Sequence, residues 1–242
     1  MLKDVDSVFG ISGFSFWLAV LFSFFLLFTQ STEIFAMNFG TVSMTMMVFT
    51  CGFLVPIFYG CIFLNESISP YQIIGLLVLF VALFLIISPK RGEKFSFIWL
   101  ILTVLATLGS GTNAIIQKIH QASEFKNELM PFLFYSLLFA SVLSFGAFLV
   151  TSRGVSLDKG DGSKIGTAVF LTLGGICVGV LNILNLSLAG KLPAVIQFPI
   201  YSVGSMILSG LGGRVIWGER MSTRKLIGFA VGSVAITVIA VL

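Results

Sequence analysis

The stretch NESISPYQIIG (Asn65–Gly75) recurs in outline as GERMSTRKLIG (Gly218–Gly228). Both read Glu, two residues, Ser, five residues, Gly. Glu66 and Glu219, Ser69 and Ser222, and Gly75 and Gly228 are each 153 residues apart. Ser69-Pro70-Tyr71-Gln72 is a helix start: Ser69 can cap, proline suits the first helical position, and Gln72 can close a capping box. Ser222 can cap a later helix in the same way. The repeated motif therefore predicts a tight turn between two helices. Glu66 and Glu219 stand at its edge, where their charges can reach water or the N–H groups of a helix start.

The helices on either side are apolar throughout. Of 242 residues, 57% are hydrophobic and only 10% charged, and the mean hydropathy is +1.08. A soluble domain needs more charge than this to cover its surface. The charges also cluster between long apolar runs, the pattern of an all-α polytopic membrane protein. Eight spans are predicted, at about 12–38, 41–64, 70–89, 95–118, 130–151, 165–189, 192–216 and 223–242, each with the roughly 20 residues that a crossing needs. The apolar runs lack the period-two alternation of barrel strands. The net charge of +4 sits in short connections, where it sets orientation rather than marking a nucleic-acid partner. Asp4 and Asp6 offset Lys3, and no clear small-residue cleavage site follows, so a cleaved signal is not expected. Cys51, Cys61 and Cys177 lie inside apolar runs without metal-ligand spacing and read as small buried hydrophobes. Trp17, Trp99 and Trp217 fall near span ends, as interface-belt aromatics do. The Gly- and Asp-rich stretch Thr151–Lys164 reads as an exposed loop. Its DKGDG lacks the later acidic ligand of a calcium loop, and no metal site is expected.

The turns belong to two longer copies, Ala36–Pro89 and Leu186–Leu242. Each runs through a helix end, a Gly, a long span with an internal Pro (Pro56, Pro199), the Glu-x-x-Ser turn, and a Gly-bearing span. Gly60 matches Gly213 at the same offset. The spacing from Gly190 to Glu219 is three residues longer than that from Gly40 to Glu66. This order of elements resembles the EamA-type transporters of the drug/metabolite transporter superfamily, over nearly the whole chain. The resemblance implies two five-helix repeats of opposite orientation. Residues 95–242 would form a complete second repeat, and residues 1–94 an incomplete first one with three helices, lacking the family's first two spans. An odd number of helices per repeat inverts the second copy, and inverted repeats favour alternating access around a midplane site.

Several polar residues inside the spans are candidates for a substrate path. Thr103, Ser110, Asn113, Gln117 and His120 fall at helical spacing on one helix, beside Gly109 and Gly111. A polar stripe in hydrocarbon should face protein or a water-filled path, with interhelical hydrogen bonding as the plainer reading. His120, near the helix end, reads as an interfacial residue rather than a proton carrier. Gln30 and Glu33 share a face of the first helix. An ionised carboxylate at the midplane would cost roughly 2.5–3.5 kcal/mol, and less near an edge, so Glu33 is either a cavity or proton-linked group or an interfacial one. Asn182 and Asn185 lie three apart, and Gly175 and Gly179 extend the Asn182 face as a GxxxG that suits close helix packing. Gln197, Pro199, Tyr201 and Ser205 share the next helix, where Pro199 frees a carbonyl one turn earlier.

The leading functional expectation is secondary transport of a small metabolite or drug-like solute across the plasma membrane. Its partners would be the lipid bilayer and a small-molecule substrate. Proton or ion coupling and a homodimer are left open, and no cofactor and no nucleic acid are expected. The alternative is a non-transporting membrane subunit or assembly factor, or an inactive truncated form. An intramembrane enzyme fits poorly: LGSG (Leu108–Gly111) lacks the first Gly of a Gly-x-Ser-Gly motif, and no nucleotide-binding loop is present. Lys and Arg divide unevenly between the two sides. Lys3, Lys118, Lys126 and Lys191 fall on the side of both termini, and the other ten fall opposite. The positive-inside rule then places the termini outside, whereas the resemblance implies that they are inside.

Overall fold

The computed structural model describes residues 10–40, 42–86, 96–151, 164–217 and 222–241. Its helices are α1 (Gly13–Met37), α2 (Val42–Thr50), α3 (Leu54–Phe63), α4 (Pro70–Ile86), α5 (Phe97–Ala122), α6 (Leu129–Thr151), α7 (Lys164–Ala189), α8 (Ala194–Trp217) and α9 (Thr223–Val241). Among the described residues there is no strand. Among the described residues, five segments are long and apolar enough to cross a membrane: Gly13–Met37, Phe97–Ala122, Lys126–Val150, Thr172–Ala189 and Thr223–Val241. Three shorter apolar ones, Val48–Phe63, Pro70–Ile86 and Ala194–Leu208, accompany them. Large apolar side chains stand on the outer surface, among them Phe145 at 62% and Leu208 at 71% exposure. Such a surface suits lipid rather than water, and the chain is an all-α membrane protein.

The span predicted at 41–64 is not one continuous helix. A 3-10 turn at Cys51–Phe53 separates α2 from α3. Pro56 lacks an N–H, and its ring displaces the carbonyl four residues before it, at Gly52, so the turn there tightens. Helix α5 runs on to Ala122, past the predicted end at residue 118. Consequently Lys118 lies within a helix and is 3% exposed, which removes it from the charges of the connections. Of the predicted loop Thr151–Lys164, the two end residues are helical and residues 152–163 lie outside the described residues, as do the segments 87–95 and 218–221, Glu219 among them, and residues 1–9.

The chain forms two compact units. One comprises residues 1–27 and 116–191, and the other residues 28–115 and 192–242. In the first, Leu18, Ala19, Phe22, Ile116, Phe132, Leu133 and Leu186 form a buried cluster. Here the Ser23 hydroxyl donates to the Ser136 carbonyl at 2.7 Å.

In the second unit, α4 packs along α9. A Cβ placed on Gly75 would stand 2.6 Å from Ile239 Cγ1, and one on Gly228 would stand 2.8 Å from Ile86 Cγ1. The start of each helix thus meets the end of the other, so the two run antiparallel. Leu79, Ala82 and Leu83 from α4 and Ala235 from α9 are buried along the same seam. The glycines remove the side chains that would hold the helices apart.

Both predicted caps are present. Gln72 N–H donates to Ser69 Oγ at 3.1 Å, and Ser69 N–H donates to Gln72 Oε1 at 3.0 Å, the two halves of a capping box. At α9, Lys225 N–H donates to Ser222 Oγ at 3.3 Å. Trp99 departs from the interface-belt expectation, being only 2% exposed. Its indole N–H donates to Thr45 Oγ1 at 2.8 Å, and the ring seats against Gly40. Trp17 is 67% exposed, as expected. Cys51 and Cys61 are half-buried and pack against the hydrophobic cluster of the second unit, as small hydrophobes do, whereas Cys177 is exposed.

Candidate substrate-path residues and a helix-start carboxylate

Helix α5 turns its polar stripe inward. Thr103 and His120 have no exposed surface, Gln117 is 3% exposed and Asn113 is 9% exposed, while Ser110 is half-buried. The opposite face carries Ile101, Val104, Leu105 and Leu108, all exposed. The spacing of the polar residues therefore identified the protein-facing side of the helix.

Within the first unit the stripe meets α7. Asn185 Nδ2 donates to Gln117 Oε1 at 2.8 Å. This pairs two predicted path residues and satisfies a buried amide that would otherwise be costly in a low-dielectric interior. Asn182, half-buried, donates from Nδ2 to the Val178 carbonyl of its own helix at 2.9 Å. The GxxxG beside it does not pack as expected. No heavy atom of another described residue lies within 4 Å of a Cβ built at Gly175 or Gly179. Leu173 and Ile176 are exposed nearby, so this part of α7 is turned to the surroundings.

Within the second unit, Gly109 and Gly111 let α5 approach its neighbours closely. A Cβ at Gly109 would stand 2.5 Å from Thr29 Oγ1, and one at Gly111 would overlap Val55. Thr107 Oγ1 donates to the Thr103 carbonyl at 2.7 Å. On α1, Glu33 is half-buried and Gln30 exposed. On α8, Gln197 is 3% exposed and Tyr201 46% exposed. Gln197 is thus buried and Tyr201 exposed.

Glu66 makes the most specific contact of the repeated turn. Asn65 takes φ 54°, the left-handed conformation that asparagine tolerates better than most residues. Leu64 N–H and Glu66 N–H both donate to the Gly60 carbonyl, at 3.1 and 3.0 Å. This closes α3 and folds Glu66 back over Gly60, where a Cβ would stand only 2.5 Å from Glu66 Oε2. The carboxylate is thereby aimed at the start of α8, and Ala194 N–H donates to Glu66 Oε2 at 2.6 Å. A carboxylate at a helix N-terminus gains both a charge-assisted hydrogen bond and the favourable end of the helix dipole. The sequence placed Glu66 within reach of a helix start; that this start is 128 residues away could not be read from spacing.

A second carboxylate does the same in the other unit, and it was missed. Glu128 Oε2 accepts from Ser12 N–H at 3.0 Å and from Ser12 Oγ at 2.8 Å, while Ser15 N–H donates to Ser12 Oγ at 3.2 Å. Ser12 is the cap of α1. Its position before an apolar run signalled a helix start, but nothing in the sequence named Glu128 as its partner.

No family model matches the chain, and no curated protein does. Among solved structures, a crystal structure described only as that of a protein superposes with a TM-score of 0.67. The match covers 98% of this chain and 90% of that one, at 12% identity. At that identity the likeness concerns the fold alone.

Proposed function

We propose that this protein is a secondary transporter of a small polar or amphipathic solute, working by alternating access and built as the EamA-type transporters are. The observation that carries this reading is the paired contact of α4 with α9. Gly75 meets Ile239 and Gly228 meets Ile86, and each residue of the second contact stands 153 positions from its counterpart in the first. Two antiparallel helices that exchange equivalent contacts are related as two copies about a twofold axis. Inverted copies give two arrangements of similar energy, open to opposite sides. On this reading residues 1–94 and 95–242 are the two repeats, all eight apolar stretches cross the plasma membrane, and Glu33, Asn113 and Gln197 line or support the path.

Substituted cysteines test the path. Asn113→Cys and Gln197→Cys are expected to react slowly with a lipid-phase maleimide and faster with a small water-soluble one. Rapid lipid-phase labelling at both positions would sink the assignment of these faces to a solute path.

A further inference from the structure

His120 is the only histidine in the chain, and it is packed inside the protein. It has no exposed surface. Its ring stacks on Phe132, with centroids 4.3 Å apart and planes 29° apart. Nδ1 lies 3.2 Å from Gln121 Nε2, while Nε2 has no hydrogen-bond partner among the described residues. The Gln121 amide is also 3.5 Å from the Lys126 carbonyl. With the amide donating, Nδ1 accepts and the neutral ring carries its proton on Nε2.

A second proton has one place to go, Nδ1. Two donors would then face one another, and the Gln121 amide must turn over to present its oxygen. The charge that arrives stacks on Phe132 as a cation–π pair. It also attracts the carboxylate of Glu128, four residues before Phe132 in the chain, which holds Ser12. Among the described residues, the other charged groups of this unit near that connection are Lys118 on α5 itself, Glu124 and Lys126 in the connection, and Lys191 beyond α7. Helix α6 turns Phe132, Tyr135 and Ser136 to this core, and α1 contributes Ser15, Phe22 and Ser23.

We propose that His120 is a proton-binding switch: protonation at Nδ1 turns over the Gln121 amide and draws Glu128 away from the start of α1. The proton is taken from solvent, and no bond other than hydrogen bonds changes. Histidine is the side chain whose ordinary titration falls near neutrality, and the chain holds one. This inference does not depend on the transport reading.

Nuclear magnetic resonance of the protein in nanodiscs tests it, with labelled histidine giving a single imidazole signal. With serine nitrogen labelled as well, the Ser12 amide is assigned by its loss in Ser12→Ala. Between pH 8 and 5.5 the imidazole signal is expected to pass from one neutral tautomer to the cation. The Ser12 amide signal is expected to move with the same midpoint, and to stay still in His120→Gln. An imidazole that remains neutral across the range overturns the proposal. So does a Ser12 signal that moves at a different midpoint in the unsubstituted protein, which needs no variant to fold, or one that still moves in His120→Gln.

Discussion

Gly75 lies against Ile239, the residue 153 positions after Ile86, just as Gly228, against Ile86, stands 153 positions after Gly75. The two contacts are equivalent in sequence but not equally tolerant. A Cβ at Gly75 meets the Ile239 side chain at 2.6 Å, with the Ala235 carbonyl at 3.4 Å. A Cβ at Gly228 meets the backbone nitrogen of Ile86 at 2.9 Å as well as its side chain. Side chains can rotate away, whereas a helix backbone must shift. Gly75→Ala and Gly228→Ala are each expected to destabilise the protein by about 1–3 kcal/mol, the usual range for overpacking, with Gly228→Ala the worse. In the background of Ile239→Ala, which removes Cγ1, Gly75→Ala should cost less and Gly228→Ala as much as before, as measured by thermal unfolding in detergent. Equal relief of both would mean that the contacts are not separate.

Glu66 and Gly60 act on the same hydrogen bond. Glu66→Gln keeps an acceptor but loses the charge, and is expected to cost about 1–2 kcal/mol, a part of the worth of a charge-assisted bond. Gly60→Ala pushes the carboxylate off Ala194 N–H and should cost at least as much. Because both remove one interaction, the double variant should be much less destabilised than the two separate effects added together. Hydrogen exchange at the Ala194 amide should quicken in each. Additive losses would show that Glu66 and Gly60 act independently.

The Gln117–Asn185 pair should couple weakly. Interhelical hydrogen bonds in membrane proteins average about 0.6 kcal/mol by double-mutant cycles. Gln117→Leu alone leaves the Asn185 amide short of its partner and should be worse than the double change to Leu at both positions. A double variant less stable than both singles would contradict the pairing.

Glu33 is expected to serve function more than folding. It is half-buried on α1 beside an exposed Gln30, and Glu33→Gln preserves its shape. Expression and thermal stability should change little, while transport falls several-fold or loses its dependence on pH. Flux unchanged from pH 5 to 8 would remove Glu33 from the mechanism.

What the sequence made legible was local. Ser69 and Gln72 close a capping box because both partners lie within one helical turn, and the five residues of the α5 stripe declare its inner face by their spacing alone. Partners brought by the fold were not legible. Glu66 meets Ala194, and Glu128 meets Ser12, across more than a hundred residues. Trp99 was read from its place near a span end, but its burial depends on Thr45 and on the room left by Gly40. The break at Cys51–Phe53 had its cause in view, in Pro56, yet hydropathy runs unbroken through it. One long-range clue was readable: Asn65, left-handed in the structure, has Gly218 as its counterpart in the second motif, and both residue types suit that conformation.

The most direct measurement of the central claim is solute efflux from proteoliposomes loaded with a soluble metabolite extract, followed by mass spectrometry. The account predicts that at least one small polar or amphipathic solute leaves faster than from protein-free vesicles. That efflux should saturate with concentration and be slowed by Glu33→Gln. Efflux of every solute at the protein-free rate, from protein that retains its thermal unfolding transition, would contradict it.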